Sequence, residues 1–125
     1  MNKQMFSHIK TSTSNKLVVT ELTRKLNLGP ENVIARLAIA HSLQNGKKLD
    51  LENLADSGGK EYSRRVLLGN YEKIYLGMIR NLYGIYNNDK DLGRLVKLHL
   101  DDGLDHFKHN KEKLSFLDII GFHKI

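Results

Sequence analysis

Hydrophobic residues in the first third of the chain recur with the period of two helices joined by a short turn. Between residues 14 and 27 an apolar position returns every fourth residue, which predicts a helix. The positions that carry this period are Val18, Leu22 and Leu26. A second helix is predicted over 30–44, with Pro30 at its first helical position. Because its apolar residues lie nearly all round the helix, we expect a partner subunit to cover part of it.

Two further helices are predicted after an irregular stretch at 49–69. A cap at Asn70 favours the start of the third helix. The apolar stripe of this helix consists of Tyr71, Tyr75, Met78, Leu82 and Ile85. The stripe of a fourth helix, predicted over 90–108, consists of Leu92, Leu95, Val96, His99 and Gly103. Residues 115–122 favour one or two helical turns that dock back on the domain.

The N-terminal residues 5–11 alternate in a way that favours a short strand. A strand followed by two helices is the order of ribbon-helix-helix DNA-binding proteins, in which paired strands from two subunits enter the major groove. The sequence therefore predicts a single mainly α domain over 1–125. We expect four to five compactly packed helices with a short N-terminal strand, a ribbon-helix-helix-like start.

The net charge of +6 on these 125 residues is concentrated at one end of the chain. Residues 1–48 contain eight Lys and Arg against two Glu, whereas the remainder is balanced. Such asymmetry indicates a surface that faces a polyanion, although a basic surface kept for solubility has the same composition. The predicted DNA contacts are Lys10, Lys16, Lys25, Lys47 and Lys48, with a second cluster of Lys60, Arg64 and Arg65.

The second cluster follows a glycine pair, Gly58-Gly59, that is similar to part of a phosphate-binding loop. The GxxxxGK[ST] spacing is not met, and Glu61 stands where Ser or Thr is required, which argues against a nucleotide-binding P-loop. The flexible backbone N–H groups could still meet one phosphate of a larger polyanion. The alternative is an ordinary glycine turn.

The strongest candidates for chemistry are His99, Asp102 and His106, which share one face of the fourth predicted helix. A histidine and carboxylate set on one face can hold a divalent metal. His99 also lies in the apolar stripe, which favours a core histidine. The chain has no cysteine and no nucleophile motif, so we expect no catalytic residues, metal or cofactor. It has neither a membrane-length apolar run nor an N-terminal secretory signal, so we expect a cytoplasmic protein with no membrane association.

Four segments resemble the DndE family, the small component of the bacterial DNA phosphorothioation (sulfur-modification) system. They are HIKTS at 8–12, RKLNLGPENVIAR at 24–36, DSGGKEYSRRVL at 56–67 and DDGL at 101–104. The resemblance runs through roughly residues 8–105, and its most specific part is the segment at 56–67.

The resemblance implies a compact helical homotetramer that binds duplex DNA, preferring nicked duplex, through surface lysines. It also implies a non-catalytic accessory role beside other phosphorothioation-system proteins. The sulfur chemistry would belong to two of those partners, a cysteine desulfurase and an iron–sulfur protein. The choice of the eight basic residues given above rests on charge placement in this sequence.

Three other functions remain open at this point. A ribbon-helix-helix-type transcriptional regulator would read sequence with residues 6–11 and would prefer one operator. A non-catalytic scaffold for partner proteins would use the apolar second helix and the Tyr-rich third helix. A metal-dependent nuclease would use the histidine and carboxylate set on the fourth helix, and it is the least favoured of the three.

Overall fold

Five α-helices and a two-stranded antiparallel ribbon form the regular structure of this computed structural model, which describes residues 6–86 and 90–110. In chain order the elements are β1 (His8–Lys10), α1 (Thr13–Lys25), α2 (Glu31–Gln44), β2 (Glu61–Ser63), α3 (Arg64–Leu68), α4 (Glu72–Tyr83) and α5 (Leu92–His109). Short 3-10 turns occupy Leu51–Asn53 and Gly69–Tyr71. The prediction of a mainly α fold with a short N-terminal strand is confirmed. The turns predicted at 115–122 lie outside the described residues.

The last described helix, α5, is the centre of the domain and packs most extensively along α2. Every residue of its predicted apolar stripe is buried, as are Leu100, Leu104 and Phe107 on its flanks. The two helix backbones approach closely at Gly103, where a Cβ atom would overlap the carbonyl group of Ala38 on α2. The period of the sequence therefore identified the main packing face of the fold.

The N-terminal ends of the first two helices are set by local hydrogen bonding and backbone geometry. The Ser12 hydroxyl accepts a hydrogen bond from the Asn15 N–H at 3.2 Å, which caps α1. Pro30 has an extended backbone and is the N-cap of α2, whereas the sequence predicted it as the first helical residue; the helix begins one residue later, at Glu31. Gly29 precedes it with φ +83°, a conformation that glycine adopts without strain.

The third predicted helix differs from the structure in both length and orientation. Its α-helical part is α4, because a 3-10 turn occupies 69–71 and includes Asn70. The buried side chains of α4 are Tyr75, Leu76 and Ile79. Two members of the predicted stripe are exposed, Tyr71 at 51% and Met78 at 42%. Part of the apolar surface of α4 is therefore not used in the core of the described chain.

The strand predicted at the N-terminus is shorter than expected and pairs within its own chain. Ile9 of β1 lies opposite Tyr62 of β2 in an antiparallel register. The sequence-based prediction missed β2. Because the backbone groups of β1 bond to a strand of the same chain, the inter-subunit ribbon of a ribbon-helix-helix protein is not the pairing that this structure has.

Enlarging the side chain at the contact between α2 and α5 should destabilise the fold. We expect Gly103→Ala to lower the free energy of unfolding by about 1–3 kcal/mol, because the added methyl group forces the helices apart. Chemical denaturation measures this change. Gly77→Ala is the control, since its Cβ would meet no atom closer than 3.9 Å. Removing a helical glycine there should raise stability by about 0.5–1 kcal/mol. Equal effects of the two variants would contradict this account.

Candidate nucleic-acid interface

A buried ion pair on α5 fixes the segments that surround the candidate interface. Lys97 and Asp101 lie one helical turn apart, with 2.8 Å between Nζ and Oδ2. The Lys97 ammonium also donates to the backbone carbonyls of Lys10 and Asp56, each at 2.8 Å. The other Asp101 oxygen accepts from the Ser12 N–H at 3.0 Å. One pair of side chains thus connects β1, the start of α1 and the loop before β2.

The glycine loop predicted to offer free N–H groups is bonded into the fold. The Asp56 carboxylate accepts from the backbone N–H groups of Thr13 and Gly58, each at 3.0 Å. A hydrogen bond from the Thr13 hydroxyl, and after it these two backbone bonds, lower the pKa of Asp56. Farther along the loop, the Gly59 N–H donates to the Thr11 carbonyl and the Lys60 N–H to the Thr11 hydroxyl, each at 3.0 Å. The loop is therefore a turn that docks on the start of α1, and these donors are not available to a phosphate.

Two members of the second basic cluster have partners inside the chain. The Lys60 ammonium lies 2.7 Å from Glu31, and its hydrogen bond is the largest cause of the lowered pKa of that carboxyl group. Arg64 lies 3.6 Å from Glu72, donates to the Phe6 carbonyl at 3.2 Å and has its guanidinium over the Phe6 ring. Arg65 is exposed. The structure thus separates this cluster into two structural cations and one surface cation.

All members of the first basic cluster are on the surface. Lys10 is on β1, and Lys16 and Lys25 are on α1. Lys47 and Lys48 follow the end of α2, and all five residues are exposed. Their placement is compatible with contact to a polyanion, but they lie on different elements.

Two open grooves beside the first turns of α5 each contain one of these cations. One, of about 500 Å³, is lined by Lys48 together with two carboxylates, Asp50 and Asp91. The other, of about 410 Å³, is lined by Lys10 together with Lys90 and Arg94. Sequence reasoning missed Lys90 and Arg94, because the charge of residues 49–100 is nearly balanced. The signal that could have found them was their position in the first turn of a strongly predicted helix.

The histidine proposed for chemistry belongs to a buried chain of hydrogen bonds. The Leu49 N–H donates to the Tyr83 hydroxyl oxygen at 2.8 Å, and that oxygen lies 2.7 Å from His99 Nε2. His99 Nδ1 lies 2.7 Å from the Ser42 hydroxyl, which donates to Asp102 at 2.8 Å. Every group is satisfied when Tyr83 donates to Nε2 and Nδ1–H donates to Ser42. His99 is fully buried, as expected of a core histidine.

Both ring nitrogens of His99 are used in this network, so neither can bind a metal. Through the Leu49 N–H, the network also holds the backbone that follows Lys47 and Lys48. His106, the other histidine of the candidate set, packs against the His41 ring at 4.5 Å between centroids. No group of three or more potential metal ligands occurs among residues 6–86 and 90–110. Sequence reasoning missed Ser42 and Tyr83, since nothing in their local pattern points to a partner on α5.

Residues 8–115 match the family of the DNA sulphur modification protein DndE. The chain belongs to the DndE family. The match begins at β1 and continues beyond α5, so it includes every element described above. DNA sulphur modification is therefore the process in which this family takes part.

Two solved DndE structures share the fold of this chain. DndE from Escherichia coli B7A, described as involved in DNA phosphorothioation modification, is 18% identical with a TM-score of 0.65. That likeness covers 82% of this chain and 97% of the other. A DndE G21/24K mutant involved in DNA phosphorothioation is 19% identical with a TM-score of 0.68, covering 82% and 98%. No curated protein matches this chain. In the part of this DndE-family chain that the structure describes, no helix is both long and apolar enough to span a bilayer.

The buried histidine should make the stability of this DndE-family protein depend on pH. Burial lowers the pKa of His99 to about 4, against a smaller opposite effect of the Asp102 carboxylate. Between that value and about 6.5 the unfolded chain binds a proton that the folded chain does not. The contribution of neutral His99 to the free energy of unfolding is therefore fully present above pH 6.5 and is lost as the pH falls from there to about 4. We expect the free energy of unfolding to drop by about 2 kcal/mol from pH 7 to pH 5.

Denaturant titrations at pH 7, 6 and 5 measure this slope above the range where carboxylates titrate. His99→Gln should flatten it, because the replacement does not titrate. His8→Gln is the matched control, since it makes the same replacement at an exposed histidine. A wild-type stability that stays constant from pH 7 to 5 would contradict the assignment.

Proposed function

We propose that this protein is a DNA-binding accessory subunit of the DNA phosphorothioation machinery and acts in the cytoplasm beside the other proteins of that system. It binds duplex DNA through surface lysines and arginines and prefers nicked duplex. Membership of the DndE family supports the role in DNA phosphorothioation. The observation that carries the DNA-binding role is the groove at the start of α5 that Lys10, Lys90 and Arg94 line, with Lys48 as an exposed cation at a neighbouring groove.

The charges of the described residues favour contact with phosphates over a catalytic role. Lys10 and Lys48 are exposed and make no ion pair within the described parts of the chain. Among residues 6–86 and 90–110, Ser42, His99 and Asp102 resemble a catalytic triad, but they are bonded to one another and the serine is buried. Electrostatic contact with a phosphate backbone needs no further chemistry. A nick favours binding because it makes the duplex easier to bend.

Removing Lys10 and Lys48, one cation from each groove, should weaken DNA binding in a salt-dependent way. We expect Lys10→Gln/Lys48→Gln to lower the slope of log K against log salt by about 1.8, since each lost phosphate contact contributes about 0.9. Fluorescence anisotropy with nicked and intact duplexes of one sequence measures this slope. The nicked duplex should bind more tightly at every salt concentration.

The control for this experiment has the same net charge change elsewhere on the protein. Lys73→Gln/Lys108→Gln removes one charge from α4 and one from the last turn of α5. It should leave the slope close to that of the wild type. A wild-type slope near zero would disprove the proposal. Equal losses in the two double variants would show that net charge, and not this surface, determines binding.

We also propose that the protein self-associates, as a homotetramer, through an apolar groove between α2 and α4. The groove has a volume of about 530 Å³. Val33, Leu37 and Ala40 line it from α2, and Ile74 and Met78 line it from α4. Ile74 is 62% exposed, which is costly for a large apolar side chain on a free surface. A second copy of the chain would cover this surface, in agreement with the apolar character of α2.

Placing a charge in this groove should dissociate the assembly. We expect Ile74→Glu to reduce the molar mass measured by light scattering after gel filtration, because a buried unpaired carboxylate opposes association. Leu17→Glu is the matched control, since Leu17 is 65% exposed on α1 and does not line the groove. A monomeric wild type, or an Ile74→Glu variant with unchanged mass, would contradict the proposal.

A further inference from the structure

The groove between β1 and the start of α5 has an unusual distribution of charge. Its walls are formed on one side by His8 and Lys10 of β1 and on the other by Lys90 and Arg94 at the beginning of α5. Among the described residues that line it, each ionisable one is basic and none is Asp or Glu. Cations from two elements that face one space favour an anion between them.

The cations of this groove differ in how they are used. Lys97 also lines the groove but is satisfied by the Asp101 carboxylate and two backbone carbonyls. Lys10 and Lys90 are exposed and form no side-chain bond within the described parts of the chain. Arg94 is 62% exposed and pairs with Asp91 at 3.2 Å, a surface pair that contributes little and that an anion can replace. Three cations are therefore available to a ligand.

The walls of the groove are formed before any ligand binds. The Phe6 side chain packs against Gly93, where a Cβ atom would lie 2.9 Å from the phenylalanine Cβ. The Arg64 guanidinium lies 5.5 Å from the Phe6 ring centre and bonds to the Phe6 carbonyl. β1 is held at the same time by its pairing with β2 and by Lys97. A preformed site avoids the entropy cost of ordering these segments on binding.

The chemistry of the walls selects a phosphate attached to an organic group. A guanidinium and two ammonium groups match phosphate oxygens, and the Ser57 hydroxyl adds a donor at the edge. Phe6 and Leu54 supply apolar surface beside them. The volume of about 410 Å³ exceeds that of a bare phosphate and leaves room for an adjoining sugar. We propose that this groove binds one phosphate of a DNA strand, with Lys10 on one side and Lys90 and Arg94 on the other. The choice of DNA as its source rests on the proposed function.

A small nucleotide tests the groove separately from duplex binding. The full chain, labelled with ¹⁵N, is titrated with thymidine 3′,5′-bisphosphate and, separately, with inorganic phosphate. We expect the amide signals of residues 8–10 and 90–94 to shift, at lower concentrations of nucleotide than of inorganic phosphate. Lys90→Gln/Arg94→Gln should require about tenfold more nucleotide, because it loses charge-assisted hydrogen bonds. Lys73→Gln/Lys108→Gln should titrate like the wild type.

Several outcomes would overturn the assignment. Shifts confined to other residues would place the nucleotide elsewhere. Equal response to inorganic phosphate would show a general oxyanion site that does not read a strand. Equal titration of the two double variants would show that Lys90 and Arg94 do not bind the phosphate.

The duplex assay distinguishes failure of this inference from failure of the proposed function. Lys90→Gln/Arg94→Gln should lower the salt slope on duplex DNA by about 0.9, the value for one phosphate. A protein that binds duplex with an unchanged slope in this variant would disprove the groove alone. A protein that binds the nucleotide in the groove but no duplex would disprove the proposed function alone.

Discussion

The buried pair of Lys97 and Asp101 is the interaction on which the arrangement of the N-terminal half depends. Its hydrogen bonds end on Lys10, Ser12 and Asp56, which belong to three separate segments of the chain. A buried charge that loses its partner typically costs about 3–5 kcal/mol, so each member requires the other. The pair therefore joins β1 to the glycine loop by hydrogen bonds, in addition to the apolar packing of Ile9 in the core.

The parts of the fold that the sequence predicted are those determined by local period. The stripe of α5 was correct because 18 residues repeat one pattern. β2 was missed, since three residues carry almost no periodic signal and their partner strand lies about 50 positions earlier. The predicted stripe of the third helix included exposed residues of α4 and its flank, because apolar residues that line a surface groove recur with the same helical period as residues of the core.

The candidate interface was predicted less well than the fold, because sequence shows a cation but not its partner. The sequence alone did not distinguish Lys60 from Lys10. In the structure Lys60 forms an ion pair with Glu31, whereas the Lys10 side chain is exposed. Lys97 was part of neither predicted cluster and proved to be a buried structural residue. Lys90 and Arg94 became candidates only when the packing of Phe6 on Gly93 placed β1 beside them.

The separation in sequence between Ser12 and Asp101 also determines when the N-terminal segment can finish folding during synthesis. The Ser12 N–H binds a carboxylate that lies 89 residues later in the chain. At about 5–20 residues per second, a ribosome needs roughly 5 to 20 s to add that length. During this interval α1 has its own serine cap but lacks the carboxylate and the helix against which it packs. The N-terminal segment therefore reaches its final state only after the last described helix has been made, which favours folding as one late cooperative unit.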